Sequence, residues 1–162
     1  MNISKIQKMD VINGDGFRTS VFVSGCKRGC KGCFNKQAQD PNHGYKFTNE
    51  VKEKIFLELN NPHCSGLSLL GGDPMSELSD NRKTIISLCK EVKEKYPTKD
   101  IFMWTGYTIQ EIENSKEMQD ILKYVDVIID GPFIEELKDI ELKWRGSSNQ
   151  NIIYVKEYLK SK

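Results

Sequence analysis

An α/β fold built on a mostly parallel sheet is predicted by three observations on this sequence. Short apolar runs rich in branched and aromatic residues alternate with stretches in which apolar residues recur every three or four positions. Each run is bounded by Gly or polar residues, as a buried strand is. The chain of 162 residues has the length of one domain and falls short of the roughly 250 that a complete eight-stranded barrel takes. Strands alternating with helices favour parallel pairing with helices on the sheet's faces, joined by right-handed crossovers.

The elements follow in order. Residues 19–24 (TSVFVS) are the first buried strand. Val51, Ile55 and Leu59, four apart behind Thr48, form the first helical face. Residues 67–70 (LSLL) are the second strand, and Ile85, Cys89, Val92 and Tyr96, behind Ser79 and Asp80, mark the second helix. Residues 101–104 (IFMW) are the third strand. Thr108 with Glu111 three positions on opens a third helix, in the pattern where each side chain satisfies an orphan donor of the first turn. Residues 125–129 (VDVII) close the series. Residues 1–162 read as a single domain without repeat or low-complexity linker, and the C-terminal KEYLKSK is expected to fray.

Charge and composition exclude several function classes. The 24 basic and 23 acidic residues cancel to a net charge of +1, which argues against a nucleic-acid binder held by phosphate contacts. No stretch approaches the apolar length of a membrane span. The polar opening MNISKIQKMD has no apolar signal region, so the five cysteines are expected to stay reduced in cytoplasm.

The unusual residues all follow strands, where ligands of parallel β/α folds sit. After the first strand, Cys26, Cys30 and Cys33 stand as C-x3-C-x2-C (CKRGCKGC), followed by Phe34 and Asn35. Gly71-Gly72-Asp73-Pro74 follows the second strand, Thr105-Gly106-Tyr107 the third and Asp130-Gly131 the fourth. Three close thiolates are a ligand set with one member missing: they can hold a four-iron cluster with one iron open. Structural zinc would take a fourth Cys or His at short spacing, and Cys64, His63, Cys89 and His43 are not so paired. That favours iron and sulfur over zinc. Cys89, on its helix's apolar stripe, and Cys64 read as structural, and the two histidines as loop residues.

Read together, C-x3-C-x2-C and GGDP resemble the radical S-adenosylmethionine enzymes. With NGDGFRTSVFVSGC, CKGCFN, WTGY at 104–107 and WRGSSNQ at 144–150, the chain is more narrowly similar, from about Asp10 to Gln150, to the family that activates anaerobic ribonucleoside-triphosphate reductases. The resemblance implies a partial (β/α) barrel of the radical SAM type. It implies a 4Fe-4S cluster on Cys26, Cys30 and Cys33, whose open iron takes the amino and carboxylate groups of S-adenosylmethionine. Reductive cleavage of that cofactor releases methionine and a 5′-deoxyadenosyl radical. The radical takes a hydrogen atom from a glycine Cα on the large subunit of anaerobic ribonucleotide reductase.

For single residues, the resemblance implies that Gly71, Gly72 and Asp73 meet the amino acid end of S-adenosylmethionine, with Asp73 accepting from its ammonium. Gly32, Cys33 and Phe34 border the adenine, Phe34 covering the cluster loop. Thr105 and Asp130 are candidates for its ribose or carboxylate by position alone. Asn13 to Gly16 reads as a tight turn, with Gly16, Phe17 and Arg18 at the partner's entrance, and Trp144 and Arg145 read as surface anchors or as packing under the sheet. Lys27, Arg28, Lys31 and Lys36 concentrate positive charge at the cluster loop and suit an acidic, flavodoxin-like electron donor. Family analogy adds a homodimer. Two further readings stay open: activation of a different glycyl-radical enzyme, and an iron-sulfur electron-transfer module that would need a fourth protein ligand.

Overall fold

A computed structural model describes residues 1–162. The four strands expected from the sequence are present and form a parallel centre: β2 (Phe17–Val23), β4 (Cys64–Gly71), β5 (Asp100–Trp104) and β6 (Val127–Asp130). Three more strands complete a seven-stranded mixed sheet in the order β3-β1-β2-β4-β5-β6-β7. β1 (Asn2–Asp10) and β3 (Tyr45–Lys46) add antiparallel pairings beside β2, and β7 (Asn151–Tyr154) pairs antiparallel with β6. The last central strand starts two residues later than expected, because Asp126 turns the chain instead. Its carboxylate accepts from Ile101 N at 2.8 Å and from Lys93 Nζ at 2.6 Å.

The expected helices form where their caps stand. Thr48 accepts from Val51 N at the start of α1 (Asn49–Leu59). α2 (Asn81–Lys95) follows the GGDP loop, and α3 (Ile109–Asn114) opens on a reciprocal Thr108–Glu111 capping box. The C-terminus departs from expectation. Val155–Lys160 is a helix, α4, held by Tyr158 Oη donating to Glu113 and by Lys162 pairing with the same carboxylate.

Helices cover one face of the sheet rather than both. The main core joins Val51, Ile55 and Leu59 of α1 and Ile85, Leu88, Cys89 and Val92 of α2 to Val21, Val23, Leu67, Leu69, Ile101, Met103 and Ile128 of the strands. These strand residues share one side of the pleat. Each step from β2 to β6 moves one strand in the same direction, so crossovers of one hand stack their helices on one side.

The other face carries Ser20, Ser68, Phe102, Trp104 and Ile129. A smaller apolar cluster there takes in Phe102, Val127 and Ile129, packed by Trp104, Trp144 and Ile152. Trp144 therefore packs against the sheet, its ring centroid 5.1 Å from that of Phe102, while its carbonyl accepts from Trp104 Nε1 at 2.7 Å.

Arg18 lies fully buried on this second face and does not border an entrance. Its Nε donates to Ser68 Oγ at 2.7 Å, Nη1 to Asp15 O at 2.9 Å and Nη2 to Leu67 O at 3.0 Å; Nη2 also pairs with Asp100 at 2.7 Å. The guanidinium stacks 4.2 Å from the Phe102 ring centroid. A buried cation is tolerated where its donors are matched in this way. The turn before it lies at the amino end of β2, the opposite end of that strand from the cysteine loop.

Candidate iron-sulfur and cofactor site

The cysteine loop leaves β2 at Ser24 and is closed at its base by backbone hydrogen bonds. Gly25 N donates to Ala38 O at 2.7 Å and Cys26 N to Gln39 O at 3.1 Å. Ser24 is anchored from behind, where its carbonyl accepts from the buried Asn81 Nδ2 at 2.9 Å. At the tip, Cys33 N donates to Cys30 O at 3.1 Å. Gly32 in this turn has φ +75°, a conformation that side chains rarely adopt, and a Cβ there would sit 2.6 Å from Glu135 Oε1.

All three loop thiols are free and half-buried. Burial pushes the Cys26 thiol above its ordinary value; the Arg28 backbone N–H pulls it back, and nearby Asp73, Cys30 and Cys33 push it up again. No three Cys, His, Asp or Glu side chains stand at the distances one metal ion needs. Three free thiols on one closed loop are a donor set that fits a four-iron cluster with one iron open. Cys64 and Cys89 are buried elsewhere, Cys64 at the amino end of β4 and Cys89 in the helical core, where burial raises its thiol pKa. Neither is a fourth ligand.

The GGDP loop lies against the base of the cysteine loop. Gly72 N donates to Val23 O at 2.7 Å and Asp73 N to Gly25 O at 2.9 Å. A Cβ at Gly72 would lie 2.5 Å from Ala38 O, and one at Gly71, where φ is +108°, 2.6 Å from Val23 O. The close backbone approach expected of these glycines is thus made to the chain itself.

Asp73 is buried, 2 % exposed, and its carboxylate is engaged. Oδ1 accepts from Met75 N at 2.9 Å and from Thr105 Oγ1 at 2.8 Å, and Oδ2 from Gly106 N at 2.9 Å. Burial raises its pKa against the pull of those donors and of Arg28. Thr105 is buried and occupied: besides donating to Asp73, its hydroxyl accepts from Tyr107 N at 3.2 Å. Asp130, buried at the end of β6, accepts from Ile109 N at 2.9 Å at the start of α3 and from Asn151 N and Nδ2 of β7. Phe34 is 99 % exposed at the loop tip.

The basic residues of the loop are largely paired. Lys27 meets Glu77, Arg28 meets Glu111 and Lys31 meets Glu135 and Glu136, which leaves Lys36 without a carboxylate partner. WRGSSNQ is hydrogen-bonded to the loop after β6, with Ser147 buried and Gly146 and Ser148 exposed. Asn149 Nδ2 donates to Pro132 O at 2.7 Å, Gln150 Nε2 to Gly131 O at 3.0 Å, and the buried Ser147 Oγ accepts from Ile134 N at 3.1 Å. Sequence reasoning missed Arg28 and Asn81 as ties between loops. The available signal was a long cation between two ligands and an Asn opening the helix after GGDP.

Comparison with known proteins agrees with this arrangement. The chain matches, over residues 12–153, the family described as a 4Fe-4S single cluster domain. It is 44% identical over 154 residues to the anaerobic ribonucleoside-triphosphate reductase-activating protein of Vibrio cholerae, covering 94% of this chain and 97% of that one. The protein of that name from Escherichia coli K12 is 39% identical over 158 residues, covering 96% and 100%. That from Enterobacteria phage T4 is 40% identical over 152 residues, covering 94% and 93%. With three free cysteines on one loop at the carboxyl end of a parallel sheet, and these likenesses along nearly its whole length, the chain belongs to the anaerobic ribonucleoside-triphosphate reductase-activating protein family.

Proposed function

We propose that this protein is the radical S-adenosylmethionine activase of an anaerobic ribonucleotide reductase, with Cys26, Cys30 and Cys33 as ligands of a 4Fe-4S cluster. The observation that carries the reading is the placement of three free thiols beside the GGDP and TGY loops at one end of the sheet. The four parallel strands, joined by three helical crossovers on one side, are read as the partial barrel of that superfamily.

When bound, the cluster supplies one electron that breaks the sulfonium–C5′ bond of S-adenosylmethionine, releasing methionine; the 5′-deoxyadenosyl radical takes a glycine Cα hydrogen, giving 5′-deoxyadenosine and a glycyl radical. The chain's own residues arrange this. Cys26, Cys30 and Cys33 would hold three irons and leave the fourth for the cofactor, and the GGDP loop, hydrogen-bonded to the base of the cysteine loop, would border it. The large subunit of the reductase brings the glycine. A flavodoxin-like protein is the donor class, although the pairing of Lys27, Arg28 and Lys31 leaves little free charge to steer it.

Replacing the cysteines singly tests the ligand assignment. Cys26→Ala, Cys30→Ala and Cys33→Ala are expected to abolish 5′-deoxyadenosine formation after anaerobic reconstitution, while Cys89→Ala keeps it and loses stability alone. Product formation at the wild-type rate in Cys30→Ala would reject the assignment.

A further inference from the structure

We infer that Asp73 and Arg28 are positioning residues that tie the three strand-end loops into a closed ring and so set the cysteine loop. The inference rests on the reading of Cys26, Cys30 and Cys33 as cluster ligands.

The ring has three links. The Asp73 N–H donates to Gly25 O at 2.9 Å and joins the GGDP loop to the base of the cysteine loop. The Asp73 carboxylate joins GGDP to TGY, through Thr105 Oγ1 at 2.8 Å and Gly106 N at 2.9 Å. Arg28 closes the circuit from TGY back to the cysteine loop. Its guanidinium lies 4.4 Å from the Tyr107 ring centroid and 3.0 Å from Glu111 Oε2. It also crosses over Gly106, where an added Cβ would stand 3.1 Å from Arg28 Cγ. Arg82 braces the same corner, donating from Nη2 to Tyr107 Oη at 3.1 Å and from Nε to Met75 O at 2.8 Å.

The Asp73 carboxylate is well suited to act as a tie. A carboxylate offers about four acceptor sites. Three are filled by protein donors in a residue 2 % exposed, and both oxygens are engaged. Removing any one partner would leave a buried group unpaired. Arg28 matters to the thiols because it lies between Cys26 and Cys30. The other side-chain ties from this part of the loop, Lys27 to Glu77 at 2.8 Å and Lys31 to Glu135 and Glu136 at 3.5 and 3.7 Å, are exposed, which makes them weak.

The test reads the loop without iron. In the reduced apoprotein, the alkylation rate of each cysteine by iodoacetamide is followed by mass spectrometry in Asp73→Asn, Thr105→Val and Arg28→Met. An amide at position 73 must turn its NH2 toward the N–H of either Gly106, which cuts the link to TGY, or Met75, which unseats the side chain within its own loop, while Thr105→Val removes the hydroxyl from that link outright. Cys26 is expected to react about fivefold faster in each variant, the opening that loss of a contact of this kind allows. Cys64 and Cys89, buried in the core, report global unfolding and should keep their wild-type rates. The double variant Asp73→Asn with Arg28→Met should be no faster at Cys26 than the faster single, because a ring cut once is open.

A second reading comes from the reconstituted protein, where the latch predicts that all three variants weaken S-adenosylmethionine binding together. An unchanged Cys26 rate in Arg28→Met overturns the inference. So does weakened cofactor binding in Asp73→Asn alone, the signature of an ammonium acceptor. If Asp73→Asn exposes Cys64 and Cys89 as well, Arg28→Met, whose side chain is 26% exposed and outside the core, decides. Iron retained by Cys26→Ala would instead reject the ligand assignment, a separate failure.

Discussion

Asp10, Asp73 and Asp130 are buried carboxylates whose oxygens are engaged by protein donors, and each holds two segments together. Asp10 gives the plainest pH signature. It accepts from Ser20 Oγ at 2.6 Å, Ile12 N at 2.8 Å and Asn13 Nδ2 at 2.6 Å. Burial raises its pKa, but these donors outweigh burial and leave it below the ordinary value of 3.8. A lowered folded-state pKa contributes stability above the unfolded value that is lost as pH falls through the folded one. Urea unfolding of the apoprotein from about pH 6 to about pH 3 should therefore show an acid loss that is shallower in Asp10→Asn. An equal slope in both would show that Asp10 does not drive it. At this scale the sequence was legible where chemistry is unusual, in the cysteine triad, and illegible where a common residue takes an uncommon duty. Arg18 looks like a surface cation, and only the convergence of Ser68, Asp15 and Leu67 from distant positions reveals it as a buried tie.

The strands and helices that sequence periodicity found are the buried ones, because burial on both faces, or along one stripe, writes itself as an apolar pattern. β1 escaped because NISKIQKMD is half polar, with one side of the strand exposed. β7 escaped because it is four residues long, and α4 because its anchors are long-range contacts to Glu113. Caps were legible, being local. α3 has six residues, too few to hold itself by propensity, so its reciprocal box should matter. Thr108 Oγ1 accepts from Glu111 N at 3.2 Å and Glu111 Oε2 from Thr108 N at 2.7 Å. Thr108→Ala should cost about 1 kcal/mol in chemical denaturation. Because Glu111 also holds Arg28, the same change should loosen the cysteine loop; a variant of wild-type stability would show that the cap contributes nothing.

At the scale of the whole molecule, the helices load one face of the sheet, and the three rim loops share one end of it. No helix is long and apolar enough to cross a membrane. The second face is partly closed by Arg18, the Asp10 to Gly16 turn and Trp144, so it is more furnished than alternating strands and helices alone suggest. The sequence predicted helices on more than one face because periodicity shows that an element has a buried side and not which side of the sheet receives it. The rim was legible in advance since its motifs each follow a strand. Its wiring was not, because hydrogen bonds between loops far apart in sequence leave no local pattern.

The central claim, that three cysteines here hold a four-iron cluster with an iron open to S-adenosylmethionine, meets its most direct test in electron paramagnetic resonance. The protein is reconstituted anaerobically with iron and sulfide, reduced with dithionite, and measured before and after the cofactor is added. A reduced 4Fe-4S signal that changes on addition, followed by a glycyl radical on the reductase, is the predicted result. A cluster signal indifferent to the cofactor, or no cluster at all, would contradict it.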